Sequence, residues 1–249
     1  MERPYISSVF LSNPIETDSY LNNIPAVEFL IRGNRLDFCR NVTFLVGENG
    51  TGKSTLIEAI AVAYGFNPEG GTRNLNFSTT ASHSELWKHL IVSKKRFARD
   101  GFFLRAESFY NVASRIDELD AQPAAAPRII ESYGGVSLHK QSHGESFLSL
   151  VQHRFGGQGV YILDEPEAAL SPMKLLTLLA EIDRLVKQDS QFIIATHSPI
   201  LMAFPGAEVW ELSADGIRSV PYQETAHFRC SRSFFADPDR LLQRLLTEE

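Results

Sequence analysis

Cysteine is nearly missing from this chain. The 249 residues contain two, Cys39 and Cys230, far apart and in no metal-ligand spacing. That excludes a disulfide framework and a C-x-x-C zinc site, and it suits the reducing cytoplasm. Long hydrophobic runs are missing too: none approaches the roughly 20 apolar residues that a bilayer crossing needs. Met1 to Leu11 lacks the basic start and apolar core of a signal peptide. No direct membrane insertion is expected, so any membrane role falls to a partner. Positive charge is not in excess, with 24 Lys and Arg against 30 Asp and Glu and a net charge of −6. A body coated in basic surface for nonspecific nucleic-acid binding is therefore disfavoured, which leaves only a local patch open. There is no internal repeat and no low-complexity tract.

A 43% hydrophobic content can build a large α/β core. The most informative segment is Val42-Thr43-Phe44-Leu45-Val46-Gly47-Glu48-Asn49-Gly50-Thr51-Gly52-Lys53-Ser54-Thr55. An apolar strand runs into a glycine-rich loop and then a helix (Leu56 to Tyr64). Gly47, Gly52, Lys53 and Ser54 satisfy G-x-x-x-x-G-K-[ST]. Glycines let successive N–H groups of residues 47–55 point inward, and the helix start adds its positive end, which makes an anion nest. Lys53 then reaches the β- and γ-phosphates of a nucleoside triphosphate, and the Ser54 hydroxyl is placed for Mg²⁺. A ligand-free glycine turn is the bland alternative.

Val160-Tyr161-Ile162-Leu163-Asp164-Glu165-Pro166 is an apolar strand ending in two carboxylates. Buried strand ends tolerate acids only beside a cation or water. With a phosphate loop in the same chain, Asp164 is read as holding Mg²⁺. Glu165 is read as the base that polarises the attacking water. Helix capping is the competing explanation. Phe192-Ile193-Ile194-Ala195-Thr196-His197 is the next apolar strand, with His197 about thirty residues past the acidic pair. Strand ends on one edge of a parallel sheet gather around one ligand, so His197 is positioned to donate to the γ-phosphate. A lone histidine there would more simply be a satisfied core residue.

The remaining pattern alternates strands with helices, which implies a mainly parallel sheet covered on both faces. Ile6 to Leu11, Ala26 to Ile31 and Thr43 to Val46 read as short β-rich runs, an N-terminal antiparallel layer leading into the phosphate-loop strand. Ser82 to Phe97 has helical character and ends in the basic cluster Lys94, Lys95, Arg96 and Arg99. Phe102 to Ala106 reads as a strand and Ser108 to Leu119 as a helix. Residues 121–135 form the least ordered-looking connection. Helices are expected over Gly144 to Phe155, Pro172 to Val186 and Pro238 to Leu246, and a hairpin over Val209 to Leu212 and Ile217 to Val220.

Gly47 to Thr55, Asp164-Glu165-Pro166 and His197 together resemble the ATP-binding-cassette (ABC) ATPase superfamily. Residues 47–60 are similar above all to its soluble SMC-like and RecF-like branch. The resemblance covers the central two-thirds of the chain. It implies one cassette over residues 1–249, with a small helical subdomain near 100–157, ATP and Mg²⁺ as ligands, and an ATP-dependent homodimer. In such a dimer each ATP meets a signature segment from the other subunit. Gln141-Ser142-His143-Gly144-Glu145-Ser146 sits where that signature belongs. Ser142 and Gly144 match, whereas Gln141, His143 and Glu145 depart, and a plain helix cap fits equally. Glu167 to Ser171 resembles the loop that contacts the opposite subunit.

The family's loop glutamine has no counterpart. Glu107 could replace it at metal-bound water, Arg105 could contact phosphate or a partner, and a structural salt bridge explains either. Only about thirty-five residues separate Glu107 from Ser142, without heptads, so no coiled-coil arm fits there. The expected activity is ATP hydrolysis, coupled to an unknown protein partner or to nucleic acid as in bacterial repair, stress or phage defence. The energy subunit of an ABC transporter is the alternative, and a nonhydrolytic nucleotide sensor is a third reading that Glu165 disfavours.

Overall fold

The computed structural model describes residues 4–73, 83–106, 109–121 and 128–246. In chain order the first half contains β1 (Ile6–Leu11), α1 (Pro25–Ile31), β2 (Leu36–Asp37), β3 (Val42–Gly47), α2 (Lys53–Tyr64), β4 (Leu90–Lys94), β5 (Asp100–Arg105) and α3 (Phe109–Asp120). The second half contains α4 (His143–Arg154), β6 (Gly159–Asp164), α5 (Pro172–Lys187), β7 (Gln191–Ala195), α6 (Pro199–Met202), β8 (Glu208–Ser213), β9 (Gly216–Ser219), α7 (Ala226–Ala236) and α8 (Pro238–Leu246). Six strands form one sheet in the order β5-β6-β7-β3-β8-β9, parallel except for β9. A smaller antiparallel sheet, β2-β1-β4, forms the N-terminal layer.

The period of two in the central strands builds two cores, one on each face. Phe44 and Val46, Tyr161 and Leu163, and Phe192 and Ile194 face one side, where α3, α4 and α5 supply Ile116, Phe147, Leu150, Leu178 and Ile182. Leu45, Val160 and Ile162, and Ile193 and Ala195 face the other, against α1 and α2. In α5 the buried residues Leu175, Leu178, Ile182 and Leu185 recur at helical spacing, which explains its single apolar stripe. By contrast α2 is buried on most sides, because it lies between the large sheet and β4 of the small one. Within the described residues no helix is long and apolar enough to cross a membrane.

Three local expectations are corrected. Residues 26–31 are helical rather than extended. Pro25 presets the first helical turn, and Ala26, Val27 and Leu30 bury one face, which overrides the β-branched content. The helix expected over 82–97 is a 3-10 turn (Glu85–His89) followed by β4, because pairing Val92 with Val9 and Leu90 with Leu11 completes the antiparallel layer. Ser82 itself, like residues 122–127 of the expected connection, lies outside the described residues. Residues 129–133 of that connection form a 3-10 turn. Helix α7 was not anticipated at all.

At the amino end of the sheet, Asp100 ties β5 to β6 and to the end of α4. Its carboxylate accepts from Tyr161 Oη at 2.8 Å, Gly156 N at 2.9 Å and Arg154 Nη1 at 2.9 Å. Burial pushes the Asp100 carboxyl up, but the Gly156 amide, Arg154 and the Tyr161 hydroxyl outweigh it and hold it below the usual carboxylate range. A depressed pKa contributes stability that is full above the unfolded value and lost as pH falls through the folded one. Asp100→Asn is therefore expected to lower unfolding free energy by about 2 kcal/mol at neutral pH. That difference should shrink below about pH 4, where the unfolded-state carboxylate takes up a proton that the native one still resists. Urea melts at both pH values check this, and a pH-independent difference would contradict it.

Candidate active site

The carboxyl ends of β3, β6 and β7 lie side by side, because Leu45 pairs with Ala195 and Ala195 with Asp164. The loop leaving β3 turns through Gly47 (φ +148°), Gly50 (φ +82°) and Gly52 (φ +94°). At two of these, space as well as backbone conformation demands glycine. An added Cβ would lie 2.3 Å from the Leu212 carbonyl oxygen at Gly47, and 2.3 Å from Ile24 Cγ2 at Gly52. Thr51 braces the turn by donating its hydroxyl to Glu48 O at 2.9 Å. Helix α1 braces it from outside, with Ala26 N–H donating to Thr51 O at 3.1 Å. The extended reading of residues 26–31 gives no sign of that support.

Lys53 folds back into the loop. Its Nζ donates to Gly47 O at 2.8 Å and Glu48 O at 3.1 Å, and the residue is only 4% exposed. Burial pushes its ammonium pKa down, while Glu165, Asp164, Glu48 and Glu167 oppose that fall. Four carboxylates thus surround one lysine. Ser54, the next residue of α2, donates its hydroxyl to Asp164 Oδ1 at 3.2 Å. Asp164 ends β6 and is 6% exposed. A hydroxyl and a carboxylate in contact, inside a locally negative site, are a donor set suited to a hard cation that also binds phosphate. Among the described residues no group of three or more Asp, Glu, His or Cys side chains stands close enough to hold a metal ion by itself, at this edge or elsewhere.

Glu165 adopts a left-handed backbone (φ 50°, ψ 53°), uncommon for a residue with a side chain, and its N–H donates to Ala195 O at 3.0 Å. This turn carries the carboxylate off the strand towards the end of β7. There His197 Nε2 lies 3.4 Å from Glu165 Oε1. The backbone N–H of His197 donates to Glu167 Oε1 at 2.5 Å. Lys53, Ser54, Asp164, Glu165 and His197 therefore lie together at this edge.

Arg105 takes the salt-bridge alternative. Its Nη1 lies 2.6 Å from Glu58 Oε2 of α2, and its Nε is 3.7 Å from Asp164 Oδ2. Glu107 lies outside the described residues. The 142–146 segment starts α4 as a capping box. Glu145 Oε2 accepts from Ser142 N at 3.0 Å and from its hydroxyl at 2.5 Å, and Ser146 Oγ donates to His143 O at 2.9 Å. Gly144 is forced by close packing, since a Cβ there would sit 2.8 Å from Ala169 O in the turn after β6. His143 packs its ring against Phe109 and Tyr110.

Comparisons with known proteins bear on this geometry. Residues 21–114 match the family model described as "AAA domain", and residues 131–203 match one described as "AAA domain, putative AbiEii toxin, Type IV TA system". The ribose import ATP-binding protein RbsA of Yersinia pestis is 29% identical over 195 residues, 71% of this chain and 36% of that protein. The RbsA of Bacillus cereus is 26% identical over 212 residues, 79% of this chain and 40% of that protein. The chain thus spans well under half the length of these curated relatives. The solved structure described as "an inward-facing conformation of a putative metal-chelate type ABC transporter" aligns with a TM-score of 0.50 at 13% identity, covering 91% of this chain and 88% of that one. The chain is an ABC-type P-loop ATPase cassette.

The tight fit of the cassette's loop makes a direct prediction. Gly47→Ala forces a methyl group onto a backbone carbonyl in a conformation that disfavours side chains, so it should cost about 2 kcal/mol or more of stability. Gly50→Ala, where nothing lies within 4 Å, carries the backbone strain alone and should cost about 1 kcal/mol. Thermal melts of both variants without nucleotide check the ranking, and equal losses would contradict it.

Proposed function

We propose that this cassette binds MgATP at the sheet's carboxyl edge, hydrolyses it, and pairs with a second copy while ATP is bound. The observation that carries the reading is the convergence of Lys53, Ser54, Asp164, Glu165 and His197 from three adjacent strand ends. Amides of residues 47–55 and the Lys53 ammonium bind the phosphates, for which Lys53 leaves the carbonyls of Gly47 and Glu48. Ser54 and Asp164 hold Mg²⁺, which supplies charge neutralisation of the phosphate oxygens when bound. Glu165 accepts the proton of the attacking water, and His197 donates a hydrogen bond to the γ-phosphate.

Residues 142–145 act in the second copy's site. For Ser142 to reach a phosphate, its hydroxyl leaves Glu145, which accepts it in the capping box. In the free chain the Ser142 hydroxyl and amide, with Lys174, hold the Glu145 carboxyl below its usual range. This departure from the family pattern sets a carboxylate against that phosphate and weakens the pairing.

The cycle is read as the control of a partner protein or nucleic acid inside the cell. The toxin–antitoxin description of the model matching residues 131–203 favours that reading. The relatives named as ribose import ATP-binding proteins favour a second one, the energy subunit of a membrane transporter. Co-purification from native membranes separates the two, since only a transporter subunit brings an integral membrane protein with it.

Glu165→Gln keeps the shape of the side chain and removes the base. It should retain MgATP and lose about a hundredfold or more of steady-state turnover. Light scattering should then find twice the 27.9 kDa chain mass with MgATP and the single mass without it. Adding Ser142→Arg should restore the single mass in both conditions. Near wild-type turnover in Glu165→Gln would move the base elsewhere, and dimers formed despite Ser142→Arg would reduce residues 142–146 to a helix cap.

A further inference from the structure

Helix α7 brings a second histidine to the site. Its N-cap Thr225 is fully buried and accepts from Phe228 N at 3.3 Å, and Ala226 N–H donates to Glu211 Oε1 of β8 at 3.1 Å. These contacts fix the first turn of α7 to the strand beside the phosphate-loop strand, since Glu211 pairs with Val46. His227, in that turn, puts its Nε2 3.0 Å from Nδ1 of His197, with the rings inclined at 64°.

Two imidazoles in contact through one nitrogen each share one proton, and the surroundings decide which ring carries it. The Nδ1 of His227 is buried with no hydrogen-bond partner among the described residues. If His197 donated from Nδ1, His227 would be left with that buried nitrogen as an N–H donor without an acceptor, an arrangement native proteins rarely keep. If His227 donates from Nε2, its Nδ1 is only an unfilled acceptor. The other edge of His197 gives the same answer. Its Nε2 faces Glu165 Oε1 at 3.4 Å, where an N–H is attracted and a lone pair is repelled.

We infer that His227 is a positioning residue: its Nε2–H donates to His197 Nδ1 and holds His197 as the tautomer whose proton sits on Nε2, facing the catalytic edge. Its use in hydrolysis rests on the γ-phosphate role proposed for His197. The neutral state of His227 agrees with this arrangement. Burial and His197 push its pKa down, Glu48 and Glu211 pull it up and Lys53 pushes it down, with a net lowering. The start of α7 adds a positive helix end that disfavours imidazolium. A neutral His227 has one N–H, and the geometry gives that proton one use.

The test reads the tautomer without nucleotide. In the full chain with ¹⁵N-labelled histidine, long-range ¹H–¹⁵N spectra above pH 7.5 should find His197 protonated at Nε2 and bare at Nδ1. His227→Phe, which keeps an aromatic ring but no donor, should mix the two tautomers. His227→Gln, which restores an N–H donor, should return His197 to the single form. MgATP turnover should follow, with kcat down about five- to tenfold in His227→Phe, KM within twofold, and recovery in His227→Gln. An unchanged His197 tautomer in a folded His227→Phe, or a His197 protonated at Nδ1 in the wild type, overturns the inference. A tautomer that mixes while turnover stays at wild type leaves the His227–His197 coupling standing and removes the γ-phosphate role of His197 instead.

Discussion

The structure depends on one charge balance, a buried lysine among carboxylates at the edge of a parallel sheet. Lys53 is 4% exposed and held by two backbone carbonyls, with Asp164, Glu165, Glu48 and Glu167 near enough to oppose the loss of its charge. An arrangement with more acids than cations in low dielectric is unfavourable alone. A divalent cation and a polyphosphate, arriving together, would give the lysine an anion and the carboxylates a cation. The rest of the fold makes this edge rigid. Parallel pairing of β3, β6 and β7 fixes the strand ends in register, and cores on both faces leave the strands no room to shift. Glycines at 47 and 52 then bring the backbone close to β8 and α1.

Much of this was legible in the sequence because the informative residues are consecutive. An apolar run followed by Gly47 to Thr55, or by Asp164-Glu165, states its own local structure. Three strand ends of a parallel sheet must share an edge, so the meeting of Lys53, Asp164 and His197 followed from pattern alone. What failed depended on long-range pairing. Residues 90–94 have no local signal that separates strand from helix, and only β1, some eighty residues earlier, decides it. Residues 26–31 look extended by composition, yet Pro25 and a buried face make them helical. For the same reason the contact between Ala26 and the phosphate loop was invisible.

Helix α7 shows the same limit at the candidate site. None of its residues is fully buried, so it has no apolar stripe to announce it, and His227 stands thirty residues from the histidine it touches. Its position is set by Glu211, a buried carboxylate of β8 that also pairs with Arg218. The C-terminal segment is thereby tied to the strand next to the phosphate loop. The phosphate loop and α7 thus both rest on β8, the loop through Gly47 against Leu212 O and the helix through Glu211.

The central claim is that the Lys53 loop is a nucleoside-triphosphate site. Isothermal titration of MgATP into the wild type and into Lys53→Ala tests it most directly. The account predicts saturable binding of about one nucleotide per chain by the wild type. Lys53→Ala should weaken that binding tenfold or more, since a hydrogen bond from a charged donor contributes about 1.5–3 kcal/mol, while its circular dichroism spectrum stays that of the folded protein. Equal affinity in a folded Lys53→Ala, or no binding by the wild type, would contradict it.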